Sequence, residues 1–383
     1  MTPIRVLVVD DSTVVRRLVS SILDGDPEIE VVATAATGRI ALAKLDQVNP
    51  DLVTLDIEMP DMDGLATLAE LRRTNHKMPV IMFSTLTELG ATSTLEALSL
   101  GASDYVTKPS NTGSQEASAE RVREQLIPKI KALVKRAPST GPRSPLGKAS
   151  TGPARTAVTT ARPAARPQHV DVVTIGVSTG GPNALAALLP RLPADFPVPI
   201  LIVQHMPPMF TRLLAERLDT TCALSVREAA EPSRIEPGQV WLAPGDYHLV
   251  VARRGTEVWT DLEQGAPENS CRPAVDVLFR SVAMTYGAGT LAVVLTGMGQ
   301  DGLRGVEAVL AAGGRALAQD EETSVVWGMP GYVARAGLAD RVLPLDVVAN
   351  ELTSRVANGR RRGPTAHPFT RAAASPLTEV GRT

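Results

Sequence analysis

Ile4-Arg5-Val6-Leu7-Val8-Val9-Asp10-Asp11-Ser12 decides how the front half of the chain folds. A short apolar run breaks off on two acids, and Val15, Leu18, Val19, Ile22 and Leu23 then recur at helical spacing. The alternation repeats through further strand segments at Glu30–Ala33, Leu52–Leu55, Val80–Phe83 and Tyr105–Thr107. Strand followed by helix, five times over, calls for a doubly wound parallel sheet across residues 1–137. Pro128 falls inside the pattern Val122, Leu126, Ile130, Leu133, which predicts a kink or restart in the last helix.

The 383 residues are long for one core and comfortable for two domains. A net charge of -2 gives no electrostatic reason to expect nucleic acid or a membrane surface as main partner. No apolar run approaches transmembrane length and the start lacks a signal-peptide pattern, so a cytoplasmic protein without membrane insertion is expected. Cys222 and Cys271 lack metal-type spacing and are expected as thiols. From Pro138 to Gln168 the chain is almost all Pro, Ala, Ser, Thr, Gly and Arg, with only Leu146 and Val158 as larger apolar residues and no acid, a composition that cannot offset the entropy of ordering. It reads as a flexible linker with a reach of roughly 30 Å. A second domain follows over 169–358, and the basic stretch from Gly359 to 383 reads as a disordered tail.

In a parallel sheet, ligands sit outside the carboxyl ends of the strands. There the sequence puts Asp10 and Asp11 after the first strand, Asp56 after the third, Ser84 after the fourth and Lys108 after the fifth. Gathered carboxylates repel unless a hard cation joins them, and an oxygen shell completed by water suits Mg²⁺. One carboxylate can then attack phosphorus while Lys108 neutralises the equatorial oxygens and the Ser84 hydroxyl binds the product. Taken singly, each acid also reads as a solvated loop residue or a cap; Asp11 and Ser12 suit the start of the first helix.

The set together resembles the response-regulator receiver family, through Val9-Asp10-Asp11-Ser12, Leu55 to Gly64, Phe83-Ser84-Thr85 and Gly101 to Pro109. The resemblance implies a flavodoxin-like fold, Asp56 as phosphoacceptor, and Asp10, Asp11, Asp56 and the Ile57 carbonyl around Mg²⁺. It further implies Ser84 and Tyr105 as a switch pair with Lys108, and a cis Lys108-Pro109 bond.

The back half alternates strands and helices again. Val172–Val177 reads as a strand and Pro182–Leu189 as a helix, which puts Ser178 of Gly176-Val177-Ser178-Thr179-Gly180-Gly181 on the turn between them. There its hydroxyl faces the positive end of a helix dipole, a useful place for an acyl-transfer nucleophile. Such a turn can also cradle phosphate or be a plain loop. Dinucleotide binding fits poorly, because the spacing is not Gly-x-Gly-x-x-Gly and the next strand ends in Gln204-His205 rather than an acid.

A nucleophilic serine needs an imidazole, and the chain has five. His76 lies in the first domain, His169 at the linker and His367 in the tail, which leaves His205 and His248. His205 ends an apolar run, whereas His248 looks like a strand start, so position favours His205. Thr290–Leu295 leads into Thr296-Gly297-Met298-Gly299-Gln300-Asp301-Gly302. Asp301 can orient the imidazole and the Met298 N–H can face an oxyanion. Asp301 is equally suited to cap a helix over Asp301–Ala311. The order Ser, His, Asp differs from that of the α/β-hydrolases.

This half is similar to the catalytic domain of the CheB family of chemotaxis protein-glutamate methylesterases. The matching segments are Ile175 to Pro182, Val203-Gln204-His205-Met206, Ala243 to Leu249, Arg272 to Phe279, Leu295 to Gly302 and Val326 to Pro330. The resemblance implies a second doubly wound α/β domain with a Ser178, His205, Asp301 triad and no metal at the esterase site. It implies hydrolysis of glutamate γ-methyl esters on methyl-accepting chemoreceptors, with glutamine deamidation, and a histidine kinase as phosphodonor. It also implies a receiver that partly covers the active site until Asp56 is phosphorylated; a monomer is expected. Three other classes compete: a DNA-binding regulator, which lacks its small basic output domain here, a receiver-controlled small-ester hydrolase, and a noncatalytic receptor-binding scaffold.

Overall fold

The computed structural model describes residues 2–74, 77–108, 115–134, 169–230 and 232–360. The linker over 138–168, the tail beyond Arg360 and the Lys108-Pro109 bond lie outside the described residues.

The front half runs β1 (Ile4–Val9), α1 (Thr13–Asp24), β2 (Ile29–Ala35), α2 (Gly38–Val48), β3 (Leu52–Asp56), α3 (Gly64–Arg73), β4 (Val80–Ser84), α4 (Glu88–Ser99), β5 (Asp104–Thr107) and α5 (Gln115–Leu133). Its strands form one parallel sheet in the order β2-β1-β3-β4-β5. The runs Ile4–Val9 and Leu52–Asp56 are buried almost throughout, as strands covered on both faces must be. Ser12 caps α1 through its hydroxyl, which accepts from Val15 N–H. Pro128 does not divide the last helix: α5 is continuous from Gln115 to Leu133. Val122, Leu126 and Ile130 on its inner face are buried, and this packing holds the helix across the one backbone bond that proline forgoes.

The back half runs β6 (Val172–Val177), α6 (Gly181–Leu188), β7 (Ile200–Gln204), α7 (Phe210–Thr221), β8 (Ser225–Glu228), β9 (Gln239–Leu242), β10 (His248–Arg254), β11 (Glu257–Glu263), α8 (Val275–Tyr286), β12 (Thr290–Val294), α9 (Leu303–Ala311), β13 (Arg315–Gln319), α10 (Met329–Arg335), β14 (Arg341–Leu343) and α11 (Leu345–Arg360). The main sheet is parallel, in the order β14-β13-β12-β6-β7-β9-β8, and β10 and β11 form a separate antiparallel hairpin. The chain starts in the middle of this sheet at β6, builds outward through β7 on one side and returns through β12 on the other. Neighbouring connections therefore diverge beside β6, and a crevice opens at its carboxyl end.

Two sequence expectations are corrected here. Asp301 does not cap α9: the helix begins at Leu303 with Gly302 as its cap in the left-handed region (φ 95), and the Asp301 carboxylate is used elsewhere. The stretch from Gly359 is helical at its start, because α11 extends to Arg360.

The two halves pack together. Tyr105 of β5 stacks on Phe210 of α7 with centroids 4.9 Å apart and planes 4° from parallel. Asn183 Nδ2 donates to Leu98 O at 2.7 Å and Arg217 Nη1 to Leu95 O at 2.6 Å, so the end of α4 is held by α6 and α7.

Candidate functional site

β7, β6 and β12 lie side by side, so the loops that leave them share one crevice. Ser178 follows β6, His205 follows β7, and Asp301 lies on the loop between β12 and α9. The turn at Ser178 is shaped by its glycines. Gly180 caps α6 with φ 78, and a Cβ on Gly176 would lie 2.3 Å from Val275 Cγ1, so a larger residue would push the start of α8 off the sheet. Ser178 N–H donates to Thr296 O at 3.0 Å and His205 N–H to Val177 O at 3.2 Å, which ties the three strand ends together.

His205 Nε2 lies 2.8 Å from Asp301 Oδ2. Asp301 is gripped in turn: Oδ2 accepts from Val275 N–H at 2.7 Å, and Oδ1 accepts from Asp276 N–H at 2.9 Å and from Asn269 Nδ2 and Gly302 N–H, each at 3.0 Å. Val275 and Asp276 open α8, so the carboxylate sits at the positive end of that helix. Burial would raise its pKa, but His205 and these N–H donors outweigh it and hold the acid below its ordinary range. Asp276 fixes the loop from the other side, its Oδ1 accepting from Gly302 and Gly305 N–H at 2.9 and 2.6 Å. With Nε2 committed to Asp301, Nδ1 is the nitrogen left to take a proton from Ser178. It faces Cys271 Sγ at 3.7 Å instead. Burial alone would lower the imidazole; Asp301 and Cys271 outweigh it and push it up to about 10.

The structure therefore brings His205 and Asp301 together and leaves the half-exposed Ser178 hydroxyl beside them without a hydrogen bond to His205. No hydrogen bond within the described residues engages the Met298 N–H, on the loop next to Gly297, where a Cβ would lie 2.9 Å from Ser178 Cβ. His248 is a brace rather than a base: it is buried, Nδ1 accepts from Ala274 N–H at 3.2 Å and Nε2 pairs with Ala266 O at 3.1 Å.

Sequence reasoning gave no role to Asn269, Cys271, Asp276 or Thr179. Thr179 and Asp276 lie within the segments that resemble the family, and Cys271 immediately precedes one of them. Asn269 carries no local mark of its bond to an acid thirty-two positions away.

In the front half, Asp10 follows β1 and Asp56 ends the neighbouring β3. Lys108 Nζ lies 2.7 Å from Asp56 Oδ2 and 3.2 Å from Asp10 Oδ2, and among the described residues it is the sole partner of those two buried oxygens. Burial pushes Asp56 up to about 6 and raises Asp10. The Lys108 ammonium, which burial would lower, is raised by the two carboxylates. Asp10, Asp11 and Asp56 each offer a carboxylate oxygen within 4.8 Å of the others, and among the described residues Ile57 O accepts only the Gly64 N–H, at 2.9 Å. This all-oxygen set with under-satisfied buried acids fits Mg²⁺. Ser84 Oγ is turned toward α4, bonded to Gly90 O at 3.0 Å and Thr94 Oγ1 at 2.7 Å. Tyr105 is buried against Phe210, with Lys129 Nζ 5.2 Å from its ring centroid.

The CheB methylesterase family matches residues 173–352, and the response regulator receiver domain family matches residues 6–118. A protein-glutamate methylesterase/protein-glutamine glutaminase of Trichodesmium erythraeum is 52% identical over 93% of this chain and 100% of its own length. A protein of the same name from Nocardioides sp. is 54% identical over 94% of this chain and 97% of its own. The solved catalytic domain of Thermotoga maritima CheB methylesterase is 45% identical, covering 48% of this chain and 98% of its own with a TM-score of 0.48.

Proposed function

Because this chain belongs to the CheB methylesterases that carry a response-regulator receiver domain, we propose that Ser178, His205 and Asp301 are the triad of a phosphorylation-regulated protein-glutamate methylesterase and glutaminase. The 2.8 Å pairing of His205 with Asp301 at strand ends flanking the Ser178 turn carries this reading. Ser178 Oγ attacks the ester carbonyl as His205 Nδ1 takes its proton; Asp301 holds the other nitrogen and the positive charge. The Met298 N–H faces the oxyanion. Methanol, or ammonia from a glutamine, leaves with the proton from His205, and water then releases the carboxylate by the same route.

The substrates are γ-methyl-esterified glutamates, and glutamines, of methyl-accepting chemoreceptors, on which a monomeric cytoplasmic enzyme acts from outside the bilayer. Among the described residues no helix is long and apolar enough to cross a membrane. The receiver over 1–137 takes a phosphoryl group on Asp56 from a histidine kinase, and the catalytic domain occupies 169–358. Asp10, Asp11, Asp56 and Ile57 O would hold Mg²⁺, which when bound supplies charge neutralisation for the incoming phosphoryl group. Lys108 swings from its ion pairs to the phosphoryl oxygens. Ser84, leaving Gly90 O, follows it, and Tyr105 leaves its stack on Phe210. The domains then part at the crevice.

The test is methanol release from methylated receptor membranes, with and without a small phosphodonor. Stimulated release supports the whole reading. Hydrolysis of small esters with none from receptors would favour a small-ester hydrolase instead.

A further inference from the structure

The contact between Cys271 and His205 is not used by the ester chemistry. Asp301 holds Nε2, so the Nδ1 lone pair of a neutral imidazole points at Cys271 Sγ, 3.7 Å away. A tetrahedral zinc with Zn–S of about 2.3 Å and Zn–N of about 2.0 Å has an S···N edge of about 3.6 Å. The two donors are therefore already spaced as neighbouring zinc ligands. The rest of the arrangement also matches a zinc site. A metal-bound histidine characteristically gives its other N–H to a carboxylate that fixes ring and tautomer, and Asp301, itself held by three main-chain N–H groups and Asn269, does this here. Within the described residues, His205, Cys271 and Asp301 form a cluster of potential ligand atoms within 4.8 Å of one another. The other cluster, Asp10, Asp11 and Asp56, offers oxygen alone and suits a hard ion. The remaining thiol, Cys222, closes α7 and contacts Thr221 Oγ1.

We infer that His205 Nδ1 and Cys271 Sγ form an inhibitory binding site for Zn²⁺ or a similar borderline-soft divalent cation, with water completing the shell. On binding, Zn–N and Zn–S bonds form; the thiol proton passes to solvent, and where the imidazole starts protonated its Nδ1 proton leaves too. No electron is transferred and no covalent bond of the protein breaks other than these N–H and S–H bonds. The metal occupies the nitrogen that would accept the Ser178 proton, so the loaded enzyme lacks its base. The inhibitory consequence rests on His205 being that base; the binding does not.

The test uses the full-length protein with Mg²⁺ in excess. Zn²⁺ should suppress methanol release from methylated receptors, and a chelator should restore it. In Cys271→Ala the Zn²⁺ concentration needed for half-inhibition, measured against that variant's own metal-free rate, should rise about 10-fold or more. Co²⁺, the spectroscopic probe, should give wild-type protein a near-ultraviolet thiolate charge-transfer band that Cys271→Ala lacks and that an all-oxygen site cannot produce. The spectrum is informative even if the variant hydrolyses poorly. No thiolate band, or a band that survives Cys271→Ala, overturns the site and leaves the triad untouched. A band with undiminished hydrolysis overturns the inhibition and with it the assignment of His205 as base.

Discussion

The Thr179 hydroxyl donates to Asp104 Oδ2 at 2.8 Å, and both residues are buried. Thr179 is one residue past Ser178 and Asp104 one residue before Tyr105, so the turn after β6 and the start of β5 touch directly. Lys129 Nζ, 2.9 Å from the same carboxylate oxygen, neutralises it inside the contact. The Asp104 side chain also accepts from Tyr105 N–H at 2.8 Å, which couples this bond to the geometry of the stacked ring.

Loosening the contact away from the chemistry should release basal activity. Arg217→Ala removes the bond to Leu95 O, and hydrogen bonds from charged donors contribute about 1.5–3 kcal/mol. The unphosphorylated variant should hydrolyse receptor esters several-fold faster and respond less to phosphodonor. Arg212→Ala, which loses an exposed pair with Glu88, should change little. Steady-state methanol release from the two variants decides this; equal basal rates for wild type and Arg217→Ala would mean that docking does not inhibit.

Ser178→Ala and His205→Ala should each lower turnover by roughly 10³-fold or more, and the double variant should lose little further, because the residues act as a unit. Asp301→Ala should also lower the melting temperature, since it strands the main-chain N–H groups of Val275 and Asp276, while Gly302 N–H keeps its bond to Asp276 Oδ1. Rates at saturating substrate, alongside thermal unfolding, separate the two effects.

The raised pKa of His205 makes a pH prediction for metal-free protein kept in chelator. A group protonated more readily in the folded state stabilises it fully below the unfolded value of about 6.5. That contribution is lost as pH rises through about 10. The stability difference between wild type and His205→Gln should therefore shrink across this interval. A base must be neutral to act, so unphosphorylated hydrolysis should climb over the same range, and Cys271→Ala should move the climb to lower pH. Urea unfolding and pH–rate profiles check both limbs; a flat profile from pH 7 to pH 9 would contradict the protonated resting imidazole.

In the receiver, Asp56→Asn should remove acid-stable, hydroxylamine-labile labelling by acetyl phosphate, and chelation of Mg²⁺ should do the same to wild type. Label retained by Asp56→Asn at full stoichiometry would place the acceptor elsewhere.

Gly176→Ala should damage catalysis without touching a polar group. Its Cβ would lie 2.3 Å from Val275 Cγ1 at the start of α8, the helix whose first N–H groups hold Asp301. Overpacking of this kind costs about 1–3 kcal/mol, and the expected readout is a kcat loss larger than the change in KM.

The strands and the acids at their ends were legible because both signals are local: a buried parallel strand is a continuous apolar run, and its end is marked by the first polar residue, as at Val9-Asp10 and Val203-Gln204-His205. Position also separated His205 from His248, which the fold uses as a main-chain brace. The grip on Asp301 was not legible, since Asn269, Val275 and Asp276 meet it only after two strands and a helix have packed. Pro128 does not restart the helix for the complementary reason: the tertiary contacts of Val122, Leu126 and Ile130 carry it through the proline. Nothing near Cys271 in sequence points to an imidazole sixty-six positions earlier.

The stack of Tyr105 on Phe210 has a thermodynamic corollary. Coupling free energies between sites are reciprocal: if a phosphoryl group on Asp56 favours separation of the rings by some factor, separation favours the phosphorylated form by the same factor. If a receptor segment in the crevice on the Ser178 side requires the rings to be apart, its binding is coupled to the receiver in the same way. On the function proposed above, substrate would then be an effector of the receiver, and the phosphoryl occupancy of Asp56 would rise with the supply of methylated receptor as well as with the signal from the kinase.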